Sequence, residues 1–177
     1  MKLKEWLMVS TFFIYSINSF ANLSRIDGIV HLRGAIVAPG CNVSLESKSQ
    51  IVNMGKLSTN QFSGVGSLSK PIPFSIKLTE CNEVFTNNIG IGIYGDIDID
   101  DSEIFQITND INSAKGVGII IFDNKENIIT PNSILQHMQP LNGYEKNLEL
   151  YARYRATKMQ VIGGKANSTA WFSLTYP

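Results

Sequence analysis

The alternation of apolar and polar residues at the end of the chain constrains the fold most. A glycine-containing turn at residues 163–164 leads into a segment that reads Ala170-Trp-Phe-Ser-Leu-Thr-Tyr-Pro177. Successive side chains of a β-strand point to opposite faces, so Phe172, Leu174 and Tyr176 share one face of this segment. A strand also exposes a row of backbone N–H and C=O groups unless another segment pairs with it. The sequence therefore predicts a half-buried final strand whose open edge needs a partner.

The first residues have the pattern of a secretory signal. Two lysines precede an apolar run at residues 6–17, and Ser19-Phe-Ala21 places small residues at the positions that a signal peptidase reads. A membrane anchor is the alternative, but the run is shorter than the about 20 residues that a spanning helix needs. We therefore expect residues 1–21 to be removed and the mature chain to begin at Asn22.

Composition limits the possible functions. Residues 22–177 are enough for one domain with a sizeable core. The chain has 15 basic and 15 acidic residues, so it lacks the positive charge typical of proteins that bind nucleic acid or anionic membranes. Cys41 and Cys81 are most simply interpreted as one disulfide of a secreted protein. The cysteines lack the spacing of a zinc site, and we expect neither a metal nor a cofactor.

Short strand patterns recur along the chain. We predict strands near residues 50–54, 71–80, 89–99, 103–108, 116–122 and 148–155. The run at 116–122 is continuously apolar, which is typical of a strand buried on both faces. No segment has a sustained 3.6-residue period with helix caps. Several short strands separated by turn signals indicate an all-β sandwich or barrel.

Three motifs resemble binding or catalytic sites, but the neighbouring residues that such sites need are absent from the sequence. Gly90-Ile-Gly-Ile-Tyr-Gly95 matches a dinucleotide-binding string, yet no helix follows to face a pyrophosphate. The acidic residues at 96–101 lack the glycine and carboxylate that a calcium loop needs at its sixth and twelfth positions, so we expect a solvated turn, with a loosely held cation as the alternative. His31 and His137 accompany no nucleophile motif. We therefore expect no catalytic residues and no enzyme activity.

A second alternating segment precedes the first cysteine. Residues 25–38 are extended in character and exceed the usual strand length of about 5–6 residues. The segment is therefore expected to serve two sheets or two molecules. It is either the domain's own first strand or a strand for another molecule, because alternation alone cannot assign a partner.

The order of these segments resembles the subunits of chaperone–usher pili, the type 1 fimbrial family of Gram-negative bacteria. The resemblance is carried by Gly28 in the first alternating segment, Cys41, Pro73-Phe-Ser-Ile-Lys-Leu-Thr-Glu-Cys81, Tyr151-Ala-Arg-Tyr-Arg-Ala156 and the final strand with tyrosine next to last. It covers essentially all of residues 22–177. Val52-Asn-Met-Gly55, residues 154–157 and the final strand are most similar to the minor FimI-type subunits of this family.

The resemblance implies an incomplete immunoglobulin-like sandwich, the pilin fold, which a donor strand from another subunit completes. The implied parts are a signal peptide at 1–21, a donor extension at 22–34 and a pilin domain at 35–177. A periplasmic chaperone would first fill the groove beside the final strand, and the extension of a neighbouring pilin subunit would then replace it. An outer-membrane usher is the third implied partner, and the assembled fimbria would lie on the cell surface.

The resemblance also assigns roles to individual residues. The donor-strand residues would be Ile26, Gly28, Val30 and Leu32. The residues at the chaperone and acceptor-groove edge would be Phe172, Leu174, Tyr176 and Pro177. Gly28 would permit close backbone approach where the neighbour's groove is narrow. The implied function is that of a structural minor subunit assembled by donor-strand exchange in support of adhesion.

Other hypotheses remain open at this point. One variant is a terminator subunit, which donates its extension but keeps its chaperone and so ends or anchors the fibre. The alternative from another class is a self-complete secreted β-sandwich that binds a small ligand or sugar. An enzyme is the third hypothesis, and only the weak motifs described above favour it.

Overall fold

Two antiparallel sheets form the computed structural model of the chain, which describes residues 40–81, 88–133, 138–141 and 143–176. The strands of these residues are β1 (Asn42–Val43), β2 (Ile72–Thr79), β3 (Asn88–Gly95), β4 (Val117–Asp123), β5 (Gln139–Pro140), β6 (Lys146–Ala156) and β7 (Ala170–Thr175). A four-residue helix, α1 (Leu45–Lys48), and a 3-10 helix (Thr59–Gln61) lie between β1 and β2. The described part contains no helix long and apolar enough to cross a membrane. The prediction of an all-β sandwich is confirmed.

The strand order separates the chain into two layers. One sheet has the order β1-β2-β6-β4, and the other has the order β5-β3-β7. β6 is the longest strand and pairs with β2 from Ile72↔Ala152 to Leu78↔Lys146, and with β4 from Val117↔Ala156 to Asp123↔Leu150. The final strand, β7, therefore lies at the edge of the second sheet.

The core follows from the alternation predicted for the paired strands. Ile76 of β2 is buried opposite Leu148 of β6, and Leu78 of β2 and Leu150 of β6 are buried in the same core cluster. The second sheet contributes Ile89, Ile91 and Ile93 of β3 to the same core cluster. Each of these strands therefore turns one apolar face inward, as a two-layer packing requires.

The glycines of β3 allow other segments to lie against it. A Cβ atom on Gly90 would stand 2.7 Å from the Sδ atom of Met138, and one on Gly92 would stand 3.2 Å from the backbone oxygen of Ser133. Gly90 and Gly92 thus provide space for a close approach. The Gly-x-Gly-x-x-Gly string is part of a strand, and no helix follows it in the described residues up to 133.

Three strand predictions are corrected by the structure. Residues 50–54 form no strand, and the side chain of Ile51 is 98% exposed. Residues 103–108 form only isolated bridges, which connect Phe105 to Ile97 and to Ile119. The strand predicted at 89–99 ends at Gly95, where the side chain of Asn132 accepts a hydrogen bond from the Gly95 N–H at 3.0 Å and donates one to its oxygen at 3.0 Å. The apolar residues of these segments did not predict which segments are buried or paired, since Ile51 and Ile99 are exposed while Phe105 is buried.

The helix α1 was not predicted, because only its cap is visible in the sequence. The Ser44 side chain accepts a hydrogen bond from the Ser47 N–H at 3.4 Å at the helix N-terminus. The hydroxyl oxygen of Ser47 then accepts a hydrogen bond from the Lys77 N–H at 2.9 Å. After Val43, where the pairing of β1 with β2 ends, the helix thus provides the hydrogen-bond partner of β2.

Candidate functional site

The candidate site is the open edge of β7. Its other edge pairs with β3 in the register Ile93↔Phe172 and Ile91↔Leu174. Among the described residues no strand pairs with the open edge. Within this part of the chain, the open edge of β7 therefore offers unpaired backbone groups.

Six half-buried apolar side chains pack against the main core cluster. They are Val43 of β1, Phe74 of β2, Ile119 of β4, Phe172 and Leu174 of β7, and Tyr176. We use the name β7 edge for the open backbone edge of β7 together with Phe172, Leu174 and Tyr176. Each of them still exposes apolar surface, and covering such surface is favourable by about 25 cal/mol per Å².

The two faces of β7 differ in exposure. Phe172 and Leu174 are half-buried, whereas Ser173 is exposed and the side chain of Trp171 is 65% exposed. The prediction that Phe172, Leu174 and Tyr176 share one face therefore agrees with their packing against the core. The prediction that this face lines an acceptor groove remains a proposal.

Tyr176 closes one end of the β7 edge. Its ring lies over Gly40, so that a Cβ atom at Gly40 would stand 2.3 Å from the ring carbons Cδ1 and Cε1. Its hydroxyl donates to the backbone oxygen of Cys41 at 3.5 Å. Burial raises the pKa of Tyr176 above its ordinary value.

A disulfide holds the same end together. Cys41 and Cys81 are bonded, with their Cα atoms 4.0 Å apart, which confirms the predicted pairing. Asn42 donates a side-chain hydrogen bond to Glu80, and the Cys81 N–H donates to the backbone oxygen of Tyr144 at 3.0 Å. The disulfide and these hydrogen bonds thus connect the start of β1, the end of β2 and the residues before β6, close to Tyr176.

The acidic turn after β3 is engaged by basic side chains. Arg155 of β6 lies 3.3 Å from the Asp101 carboxylate and 2.8 Å from the Glu103 carboxylate. Lys158 lies 3.4 Å from Asp100. In the described ranges no group of three or more His, Cys, Asp or Glu residues is arranged to hold a metal ion. The turn therefore acts as a structural ion-pair network.

Some sequence-predicted residues lie outside the described ranges. These are the donor-strand residues Ile26, Gly28, Val30 and Leu32, the chaperone-edge residue Pro177, and both histidines, His31 and His137. The predicted signal peptide at 1–21 also lies there. Conversely, the contact of Gly40 with Tyr176 was not predicted, because Gly40 lies outside every predicted strand.

Comparisons with known proteins agree with this geometry. The family model described as "Fimbrial protein" matches residues 30–177. The putative fimbrin-like protein FimI of Salmonella typhi is 36% identical over 152 residues, which cover 85% of this chain and 86% of that protein.

Solved structures show the same fold. The P pilus rod subunit PapA matches with a TM-score of 0.66 and 21% identity, over 78% of this chain and 100% of that one. A subunit in the structure of a chaperone–usher pilus matches with a TM-score of 0.65 and 23% identity, over 85% of this chain and 96% of that one. The fold is therefore the incomplete immunoglobulin-like sandwich of pilus subunits, and the chain belongs to the fimbrial protein family. The resemblance predicted from the sequence, including its FimI-like character, is confirmed.

Proposed function

We propose that the chain is a structural minor subunit of a chaperone–usher pilus and that its β7 edge accepts a donor strand. The observation that carries the proposal is the combination of an unpaired edge with half-buried core side chains beside it, among the residues described. An inserted strand would satisfy the backbone groups of β7 and cover Phe172 and Leu174 in one step. The self-complete sandwich would not need this step, and the comparisons favour the pilus subunit.

The energetics of strand addition favour an alternating apolar donor. A donor residue whose side chain is fully buried in the β7 edge contributes about 1.5–3 kcal/mol, which is an upper estimate because unfolded chains already bury some surface. Ordering the backbone of a short extension costs about 1–2 kcal/mol per residue in conformational entropy. The burial of several side chains outweighs this cost only when backbone hydrogen bonds to β7 form as well. The donor must therefore match both the side-chain spacing and the register of β7.

The extension at residues 22–34 is the proposed donor of this chain to a neighbour. Ile26, Val30 and Leu32 would point into the neighbour's groove, and Gly28 would pass its narrowest point. A side chain at position 28 would overpack that point, which typically costs 1–3 kcal/mol. Gly28→Val is therefore expected to weaken donation without altering the residues of the chain's own β7 edge.

The proposed partners act in sequence. A periplasmic chaperone would occupy the β7 edge after cleavage at residue 21 and would contact the segment that ends at Pro177. A neighbouring pilin extension would replace the chaperone at the outer-membrane usher, and the product would be a surface fimbria. The family membership supports neighbouring pilin subunits and a surface pilus, whereas the chaperone, the usher and passage through the periplasm are parts of the proposal.

A peptide-binding experiment tests the acceptor role. Labelled peptides that copy the extensions of candidate neighbouring subunits would be titrated against residues 22–177, with binding followed by fluorescence anisotropy. We expect saturable binding of at least one peptide, weakened about tenfold or more by Leu174→Ala and unaffected by Ser173→Ala on the opposite face. Equal effects of the two variants would contradict the proposed groove. Binding of the chaperone but of no peptide would identify a terminator subunit.

A further inference from the structure

The face of β7 opposite the core carries a second feature. A cavity of about 260 Å³ lies beside Trp171, near the start of the strand. Six of its lining residues bear the argument: Asp96, Gln106, Thr108, Asn109, Thr169 and Trp171. Its volume is slightly below the roughly 300–1,000 Å³ of ligand pockets for drug-sized molecules, so it suits a single small ring.

The walls of the cavity are held by hydrogen bonds between separate segments. The Gln106 N–H donates to the backbone oxygen of Asp96 at 2.8 Å, and the Thr108 N–H donates to the backbone oxygen of Asn167 at 2.7 Å. The Ser168 hydroxyl donates to the backbone oxygen of Gln106 at 2.8 Å. The cavity is therefore formed before any ligand arrives, which lowers the ordering cost of binding.

Several polar side chains in the lining are available for a ligand. Within the described structure, the side chains of Asp96, Gln106, Thr108, Asn109 and Thr169 take part in no hydrogen bond or ion pair. Together they offer amide donors, hydroxyl groups and acceptor oxygens. Polar groups that converge on a cavity beside an aromatic wall are the usual source of orientation and specificity in a small-molecule site.

The charge and the aromatic wall indicate the class of ligand. Asp96 is the only charged residue among those that line the cavity, so a ligand anion would meet a carboxylate without a compensating cation. The exposed indole of Trp171 offers an apolar face, while the neighbouring amides and hydroxyls suit a molecule with many hydroxyl groups. A neutral pyranose ring combines an apolar C–H face with several hydroxyls. We propose that this cavity binds a neutral hexopyranose unit of a glycan.

The proposed sugar site is separate from the β7 edge. Trp171 and Phe172 are consecutive and therefore point to opposite faces of the strand. A sugar beside Trp171 and a donor strand over Phe172 can thus be bound at the same time. Failure of the sugar site would leave the proposed acceptor role untouched, and the two are tested by different probes.

Tryptophan fluorescence provides the test, because Trp6 and Trp171 are the only tryptophans of the chain and Trp6 lies in the predicted signal peptide. The secreted chain would be purified from the periplasm and titrated with the methyl glycosides of glucose, galactose and mannose, and with N-acetylneuraminic acid and choline. The tryptophan fluorescence of a Trp171→Phe preparation measures how much any co-purifying protein contributes to the fluorescence signal. Affinities would be confirmed by calorimetry.

We expect saturable binding of at least one neutral glycoside and none of the anionic sugar. Trp171→Ala should weaken that binding about tenfold or more in calorimetry. Tyr144→Ala, which removes another side chain that is 65% exposed, should leave it unchanged. Binding of choline alone would overturn the proposal in favour of a cation site. An absence of saturable binding by all the probes, or equal losses in both variants, would also overturn it.

Discussion

The ring of Tyr176 occupies the space beside Gly40 in which any other residue would carry its Cβ atom. The two residues are separated by almost the whole described chain, and their contact joins the residue after β7 to the residues before β1. The disulfide between Cys41 and Cys81 lies next to this contact. One end of the β7 edge is thus closed by covalent and packing interactions, while the rest of the edge stays open.

A methyl group at position 40 should disturb this contact. Gly40→Ala places its Cβ atom 2.3 Å from two ring carbons of Tyr176, so the ring must move, and we expect stability to fall by about 1–3 kcal/mol. Urea unfolding of the oxidised protein measures the change. Gly163→Ala is the matched control, because its nearest neighbour, the Thr59 Cγ2 atom, would be 3.7 Å away. Equal stability of the two variants would refute the packing role of Tyr176.

Two tyrosines should make stability decrease in alkaline solution. Burial raises the pKa of both Tyr154 and Tyr176, so the folded protein retains their protons at a pH where the unfolded chain loses them. The stabilisation is complete below the unfolded pKa of about 10 and is lost as pH rises through the higher folded pKa. Urea unfolding between about pH 9 and pH 12 should show this decrease.

Phenylalanine variants identify the groups responsible. Tyr154→Phe should flatten the alkaline decrease, although it also removes the hydrogen bond that the Tyr154 hydroxyl donates to the Ala166 oxygen at 2.8 Å. Tyr176→Phe should flatten it further. Tyr144→Phe, at an exposed position, is the control and should keep the slope of the unaltered protein. An alkaline slope that is the same in all variants would contradict the assignment.

Loss of the disulfide should destabilise the domain strongly. The bond spans a sequence separation of 40 residues. Restricting a loop of that length stabilises the folded state by roughly 4 kcal/mol in the chain-entropy model, whose mechanism is disputed. The double variant Cys41→Ser/Cys81→Ser, compared with the oxidised protein by urea unfolding, should show a loss of about 2–4 kcal/mol. Reduction of the unaltered protein should give a similar loss, and no loss in either would contradict the prediction.

The ion pairs of Arg155 should matter more than an exposed pair. Its side chain is 24% exposed and contacts both Asp101 and Glu103, so Arg155→Met should cost about 1–3 kcal/mol, between the values for exposed and buried pairs. Lys77→Met removes the exposed pair with Glu145 and should cost at most about 1 kcal/mol. Thermal unfolding in low and high salt compares them. A larger cost for Lys77→Met would overturn the ranking.

Much of the fold was predictable because alternation reports burial directly. In β6, Leu148, Leu150, Ala152 and Tyr154 are all buried, as the two-residue period predicted. In β2 the same period separates a buried or half-buried face from an exposed one, and in β7 it places the half-buried Phe172 and Leu174 on one face. The buried run at 116–122 was also predicted. Its strand, β4, lies at a sheet edge, where Phe105 and Ile129 from other parts of the chain form backbone hydrogen bonds with it.

The strand predictions were wrong where contacts between distant parts of the chain determine the structure. Ile51 lies in a segment that was predicted as a strand but pairs with no strand, and Phe105 pairs only through single bridges. The contact of Gly40 with Tyr176 joins residues that nothing in the local sequence connects. The candidate site was therefore predictable from β7 itself but not from the residues that complete it, because partner choice depends on tertiary packing.

Thermal unfolding of oxidised residues 22–177, alone and with peptides that copy candidate donor extensions, tests the acceptor role of the β7 edge most directly. We predict a low midpoint that one peptide raises by about 5–10 °C at 100 times its dissociation constant, since such a ligand stabilises by about 2.7 kcal/mol and each kcal/mol shifts the midpoint of a domain this size by about 2–4 °C. Leu174→Ala should reduce that shift, and Ser173→Ala should not. A high midpoint that neither a peptide nor a chaperone changes would contradict the account and indicate a self-complete domain.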